Sequence, residues 1–105
     1  MIRRLNPIPY SRQTITEQDV RSVIRILRSD FLTQGPVNDE FEKRVSAYCS
    51  AKFAVAFSSG TAALHGACFA AGISNGDEII TSPITFAASA NCVLYCGAIP
   101  IFADI

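Results

Sequence analysis

The sequence predicts an α/β fold built on parallel strands. From Phe53 onward, short continuous apolar runs alternate with segments whose apolar residues recur at helical spacing. The runs are unbroken, as in strands covered on both faces. Turn formers punctuate the joins: Gly72, Asn75-Gly76, Pro83 and Gly97. A strand–helix–strand–helix–strand rhythm of this kind implies parallel pairing through right-handed crossovers.

Before that rhythm the chain opens on an arm, Met1 to Gln13, kept extended by Pro7 and Pro9. Thr16 is a helix cap, with Asp19 three residues on at the electropositive end. Val20, Val23, Ile24 and Leu27 then form one apolar stripe, and the helix is expected to stop near Ser29 or Asp30. Asp30 to Pro36 is a polar loop broken by Gly35-Pro36. A second helix is expected from about Asn38 or Asp39, with Phe41, Val45 and Tyr48 as its apolar face and Glu40, Glu42, Lys43 and Arg44 as its wet one.

Phe53 to Phe57 (FAVAF) reads as a buried strand, followed directly by Ser58-Ser59-Gly60-Thr61. Leu64, Ala67, Cys68 and Ala71 carry the next helix, and Gly72 stops it. A second strand lies around Glu78 to Thr81 and ends at Pro83. Thr85 or Ser82 is positioned to cap a fourth helix marked by Ala90, Val93 and Leu94, and Ile99 to Ala103 is a third strand. Three parallel strands with unpaired edges are a poor stopping point for a domain, so the sequence is expected to be the front part of a larger unit.

Composition narrows the function. Of 105 residues, 50% are hydrophobic, enough for one core. Nine basic and nine acidic residues give zero net charge, which argues against a strongly basic nucleic-acid surface and against disorder. No apolar run approaches the ~20 residues of a membrane span. Arg3 and Arg4 are followed by no apolar core of a secretory signal, so the expected compartment is the cytoplasm. Cys49, Cys68, Cys92 and Cys96 contain no CxxC pair and His65 is the single histidine, so no metal site is expected. The cysteines read as small buried hydrophobes in a reducing compartment.

The most informative feature is the strand–SSGT–helix junction. The first N–H groups of a helix lack intrahelical partners, and the macrodipole adds positive character, so a phosphate fits there. Gly60 lets the backbone come close, and Ser58, Ser59 and Thr61 offer hydroxyls. From the motif alone, an ordinary capped turn reads equally well. The pattern is neither a Walker loop nor GxGxxG, which disfavours a nucleoside triphosphate. Phe86 follows the second strand. It is core filler by residue type alone, or a ring to stack on a planar ligand if the two strands are near neighbours. Tyr10 and the loop around Thr33 and Gln34 read as packing and connection.

Taken in order, SDFLTQGP, AYCSAKFAVAFSSGTAALHGAC and GDEIITSPITFAASANCVLYCGAIPIFADI resemble the start of the DegT/DnrJ/StrS sugar aminotransferases. The resemblance runs from about Pro9 to the end. Within the family, SRQTITEQDV, DFLTQGP and TSPITFAASANCVLYCGA are most similar to the 4-aminotransferases that act on UDP-4-keto-6-deoxy-N-acetylhexosamine in pseudaminic acid synthesis. The implied fold is the N-terminal part of the large domain of a fold type I pyridoxal-phosphate (PLP) transferase. That fold is three-layered with mainly parallel central strands, and residues 1–105 would cover the arm and the first part of it.

The resemblance also assigns roles. Ser59, Gly60, Thr61 and Ala62 would hold the cofactor phosphate, and Phe86 would stack on the pyridine ring. Tyr10, Asp30, Phe31, Leu32, Thr33 and Gly60 would touch the UDP-sugar. The implied partners are that sugar and an amino-acid donor, glutamate, with a homodimer for the full-length protein. The family's Schiff-base lysine lies downstream of Ile105, and neither Lys43 nor Lys52 sits at its place, so no catalytic residue is expected in this chain. Two other readings stand beside this one: a non-catalytic phosphate-binding α/β module, and a lysine-less PLP-dependent sugar dehydratase relative.

Overall fold

The computed structural model describes residues 9–104. They form two compact units, one ending at Asp39 and the other beginning at Glu40.

The first unit is organised by α1 (Glu17–Leu27). Its start is a reciprocal cap: Thr16 Oγ1 accepts from the Asp19 N–H at 3.3 Å, and Asp19 Oδ2 accepts from the Thr16 N–H at 2.8 Å. The Thr16 hydroxyl donates to the same carboxylate at 2.8 Å. These bonds, the backbone one foremost, hold the Asp19 carboxyl below its ordinary value of 3.8. The helix closes at Arg28, whose N–H reaches Ile24 O. In the loop that follows, the Ser29 hydroxyl bonds Ile26 O at 2.7 Å, and Gln34 takes a left-handed φ of 51°.

Helix α2 (Pro36–Tyr48) starts two residues before the earlier expected position. Proline has no N–H to leave unpaired and a φ already helical, so the Gly-Pro breaker is the first residue of the helix.

In the second unit, α3 (Gly60–Ala70) leads through Gly72, at φ 78°, and a turn at Gly76, at φ 96°, into β1 (Glu78–Thr81). Asp77 Oδ2 accepts the Ser74 N–H at 2.8 Å across that turn. Helix α4 (Ala88–Tyr95) then connects β1 to β2 (Ile99–Phe102), which pair in parallel with Ile79 opposite Pro100 and Ile80 opposite Ile101. The core is small: Ala88, Cys92, Val93 and Ala98 are buried, with Cys68, Ile73 and Ile79 packed on the last three. Small side chains at these positions let α3, α4 and the sheet approach closely.

Three expectations are corrected. Phe53–Phe57 is not a buried strand: among the described residues its backbone pairs with no strand, and Phe53 is 75% exposed. A parallel strand exists only through a neighbour, and none of the described segments provides one, so the sheet has two strands rather than three. Neither Thr85 nor Ser82 caps α4. Its N-cap is Ala87 without a side-chain bond, because Thr85 pairs with the Ser89 hydroxyl and Ser82 accepts from Ile84 N–H. The fourth helix itself lies where Ala90, Val93 and Leu94 marked it, with Val93 buried and Leu94 exposed. Cys49 is exposed, whereas Cys92 is buried and Cys68 and Cys96 are half-buried. Burial pushes the Cys68 thiol up, helped by Cys92 beside it.

Candidate ligand-binding site

The Ser58-Ser59-Gly60-Thr61 turn becomes the N-terminus of α3. Ser59 is its cap, in extended conformation (φ −159°, ψ 161°), and its Oγ accepts the Ala62 N–H at 3.1 Å. The Ala63 N–H goes to Ser59 O at 3.0 Å. That leaves the N–H groups of Gly60 and Thr61, which pair with no carbonyl among the described residues. Two free donors lie at the positive end of an eleven-residue helix. A Cβ added to Gly60 would meet nothing within 4 Å, so the space over this glycine is open. The hydroxyl hydrogen of Ser59 and that of Thr61 complete a set of donors with no acidic side chain in the first turn. This arrangement fits a phosphate ester. Ala62 belongs to it through its backbone, whose N–H is already taken by Ser59.

The turn is held from behind. Glu42, expected in water, is half-buried and its Oε1 accepts the Ala56 N–H at 2.8 Å. Phe57 lays its ring against Gly66 of α3. With Ala62, His65 and Phe69 these two residues line a cavity of about 310 Å³. His65 itself packs edge-on to Tyr95 of α4, with ring centroids 5.3 Å apart. Only one of these supports had a visible signal, a glycine inside a helical run at Gly66. The Glu42 contact spans fourteen residues and leaves no local trace.

Phe86 lies between β1 and α4 and is 77% exposed. It lines a different cavity, of about 430 Å³, with Pro83, Leu94, Pro100 and Phe102 on its apolar side and Ser82, Thr85 and Asn91 on its polar side. Tyr10, Asp30, Phe31, Leu32 and Thr33 belong to the first unit and are all exposed. Phe31 is tied to Ser29, whose hydroxyl oxygen accepts the Phe31 N–H at 3.4 Å. Lys43 sits on α2, and the Lys52 ammonium lies 5.3 Å from the centre of the Phe53 ring. Among the described residues, no group of three or more His, Cys, Asp or Glu side chains is placed to hold a metal ion, and no helix is long and apolar enough to cross a membrane.

Comparison with known proteins gives the family and the fold. The spore coat polysaccharide biosynthesis protein SpsC of Bacillus subtilis (strain 168) is 45% identical over 106 residues, covering 100% of this chain and 27% of that protein. The UDP-4-amino-4-deoxy-L-arabinose–oxoglutarate aminotransferase of Shewanella sediminis (strain HAW-EB3) is 38% identical over 98 residues, covering 93% of this chain and 25% of that protein. Among solved structures, Spr1654 from Streptococcus pneumoniae in its PLP form superposes with a TM-score of 0.85 at 37% identity, over 93% of this chain and 25% of that one. Helicobacter pylori PseC, an aminotransferase of pseudaminic acid biosynthesis, gives 0.85 at 36% identity, over 92% and 27%. The chain thus spans about a quarter of the length of the relatives it matches. Its fold is the corresponding part of these aminotransferases, with the parallel β1–α4–β2 unit in place. A model of the DegT/DnrJ/EryC1/StrS aminotransferase family matches residues 13–105, and the chain belongs to that family.

Proposed function

We propose that this chain forms the phosphate-holding part of a PLP site in an enzyme that transfers an amino group to a nucleotide-linked sugar. The observation that carries this reading is the pair of unpartnered N–H groups at Gly60 and Thr61, beneath open space and beside the Ser59 and Thr61 hydroxyls. When bound, PLP supplies an electron sink through which the amino group passes between donor and acceptor. The residues of this chain bind and orient. Gly60 and Thr61 donate to the ester dianion. Ser59 fixes the turn through Ala62 and turns its hydroxyl hydrogen outward. Phe86, whose ring is free, is the group for the face of the pyridine.

The substrate in this reading is a UDP-linked 6-deoxy-N-acetylhexosamine with a ketone at C4, and glutamate is the donor. The named activities of the PseC and L-arabinose relatives support that class. Tyr10, Asp30, Phe31, Leu32, Thr33 and Gly60 contact the sugar nucleotide. In this reading neither Lys43 nor Lys52 carries the cofactor, and the enzyme is a cytoplasmic homodimer.

Gly60→Pro tests the carrying observation. Proline is favoured at the first helical position, the extended Ser59 before it is compatible, and nothing fills the space. The substitution therefore deletes one donor and leaves the helix standing. PLP affinity of the full-length protein is expected to fall about 10- to 100-fold, the worth of one hydrogen bond to an anion, with the unfolding midpoint unchanged. Undiminished PLP affinity in this variant refutes the reading.

A further inference from the structure

We propose that Phe57 and Gly66 act together as the positioning device of the phosphate-binding turn, an inference that rests on the cofactor reading above. A glycine inside a helix is about 1 kcal/mol worse than alanine and needs a reason. Backbone freedom is not the reason here, since Gly66 is absent from the positive-φ glycines, which are Gly72, Gly76 and Gly97. The reason is proximity. A Cβ at position 66 would overlap Phe57 Cζ and stand 2.7 Å from Cε1. The ring occupies the place where a side chain would be, and being 48% exposed it would swing off the helix face to admit one.

The position of the ring explains what the contact does. Phe57 lies two residues before the Ser59 cap, and Gly66 is the seventh residue of α3. Ala62, His65, Gly66 and Phe69 recur at helical spacing, and with Phe57 they line one cavity. The ring therefore runs back along the helix from the loop side, much as a hydrophobic staple joins the residue before a cap to the first turns. Such a staple fixes the angle at which the chain enters the helix. Only Ser58 and Ser59 separate Phe57 from the first free donor, so the entry angle sets where the Gly60 and Thr61 N–H groups aim. Glu42 holds the Ala56 amide next to it, so two consecutive residues are pinned before the turn begins.

The test separates phosphate anchoring from general stability. PLP and unphosphorylated pyridoxal are titrated against the full-length protein, and the ratio of their affinities reads the phosphate site alone. Gly66→Ala is expected to lower PLP affinity about tenfold, as one misaligned hydrogen bond to an anion would, with pyridoxal unaffected. Leucine ends at Cδ, short of the Cε1 and Cζ atoms at issue, so adding Phe57→Leu to Gly66→Ala is expected to restore most of the ratio. If Gly66→Ala does not fold, Phe57→Ala alone is expected to lower the ratio by removing the ring. An unchanged ratio in the single variant, with Gly60→Pro collapsing it, overturns the positioning role and leaves the cofactor reading standing. An unchanged ratio in Gly60→Pro as well removes the cofactor reading and this inference with it.

Discussion

Replacing Glu42 by alanine removes a polar tie between α2 and the segment that leads into the turn. Glu42 Oε1 accepts the Ala56 N–H at 2.8 Å, a charge-assisted bond of good length. Bonds to charged groups contribute about 1.5–3 kcal/mol in sheltered settings. Glu42 is half-buried and Ala56 exposed, so water competes and about 1 kcal/mol is the expected net loss. Because Phe53–Phe57 pairs with no strand among the described residues, the loss falls on local opening of that segment. An opening cost lowered by about 1 kcal/mol makes the Ala56 amide exchange about fivefold faster. Glutamine retains a neutral acceptor oxygen, so Glu42→Gln is expected to give an intermediate rate. Hydrogen exchange read residue by residue on the isotope-labelled protein is the assay. An Ala56 exchange rate that is the same in wild type and Glu42→Ala refutes the argument.

Two further outcomes follow from the first unit. Gly35→Ala places a Cβ 2.6 Å from Phe31 Cβ, an atom close to the backbone that cannot swing away. The loop from Asp30 to Thr33 must then shift, at a cost of about 1–3 kcal/mol, read as a lower unfolding midpoint and, under the proposed function, weaker sugar-nucleotide binding. Asp19 gives a pH dependence whose sign is fixed. The folded state holds its carboxyl below 3.8, so its contribution is present above that value and lost as pH falls through the lower folded value. The stability difference between wild type and Asp19→Asn is therefore expected to shrink on acidification below pH 3.8, measured by denaturant unfolding at a series of pH values.

Local chemistry was legible in the sequence. Thr16 with Asp19 announced the cap, Gly72 and Gly76 the turns, and Ser59-Gly60 a helix start with free donors. Parallel pairing of β1 with β2 followed from the helix between them. What escaped depended on partners distant in sequence. Phe53–Phe57 has the composition of a strand, but composition cannot supply the neighbour that makes one. Glu42 reads as a solvated helix residue because its amide partner is fourteen positions away. Thr85 was eligible to cap α4 by residue type, and the hydroxyl of Ser89, one helical turn along, took it instead. For the candidate site, the donor turn was readable, whereas the surroundings of Tyr10 and Thr33 carry no local signature beyond exposure.

The parallel ribbon of β1 and β2 is finished on one side only. Ile79 and Pro100 lie toward α4, while Ile80, 74% exposed, stands on the opposite side with Ile99 and Ile101, both also exposed. Parallel ribbons in water are normally sandwiched between layers. Expressed as a stand-alone 105-mer, this polypeptide would present an oily plane flanked by unsatisfied amides. Such a plane invites self-adhesion. Insoluble product from that expression, cured by polar replacements at Ile80 and Ile101, would be the bench signature of that exposed plane.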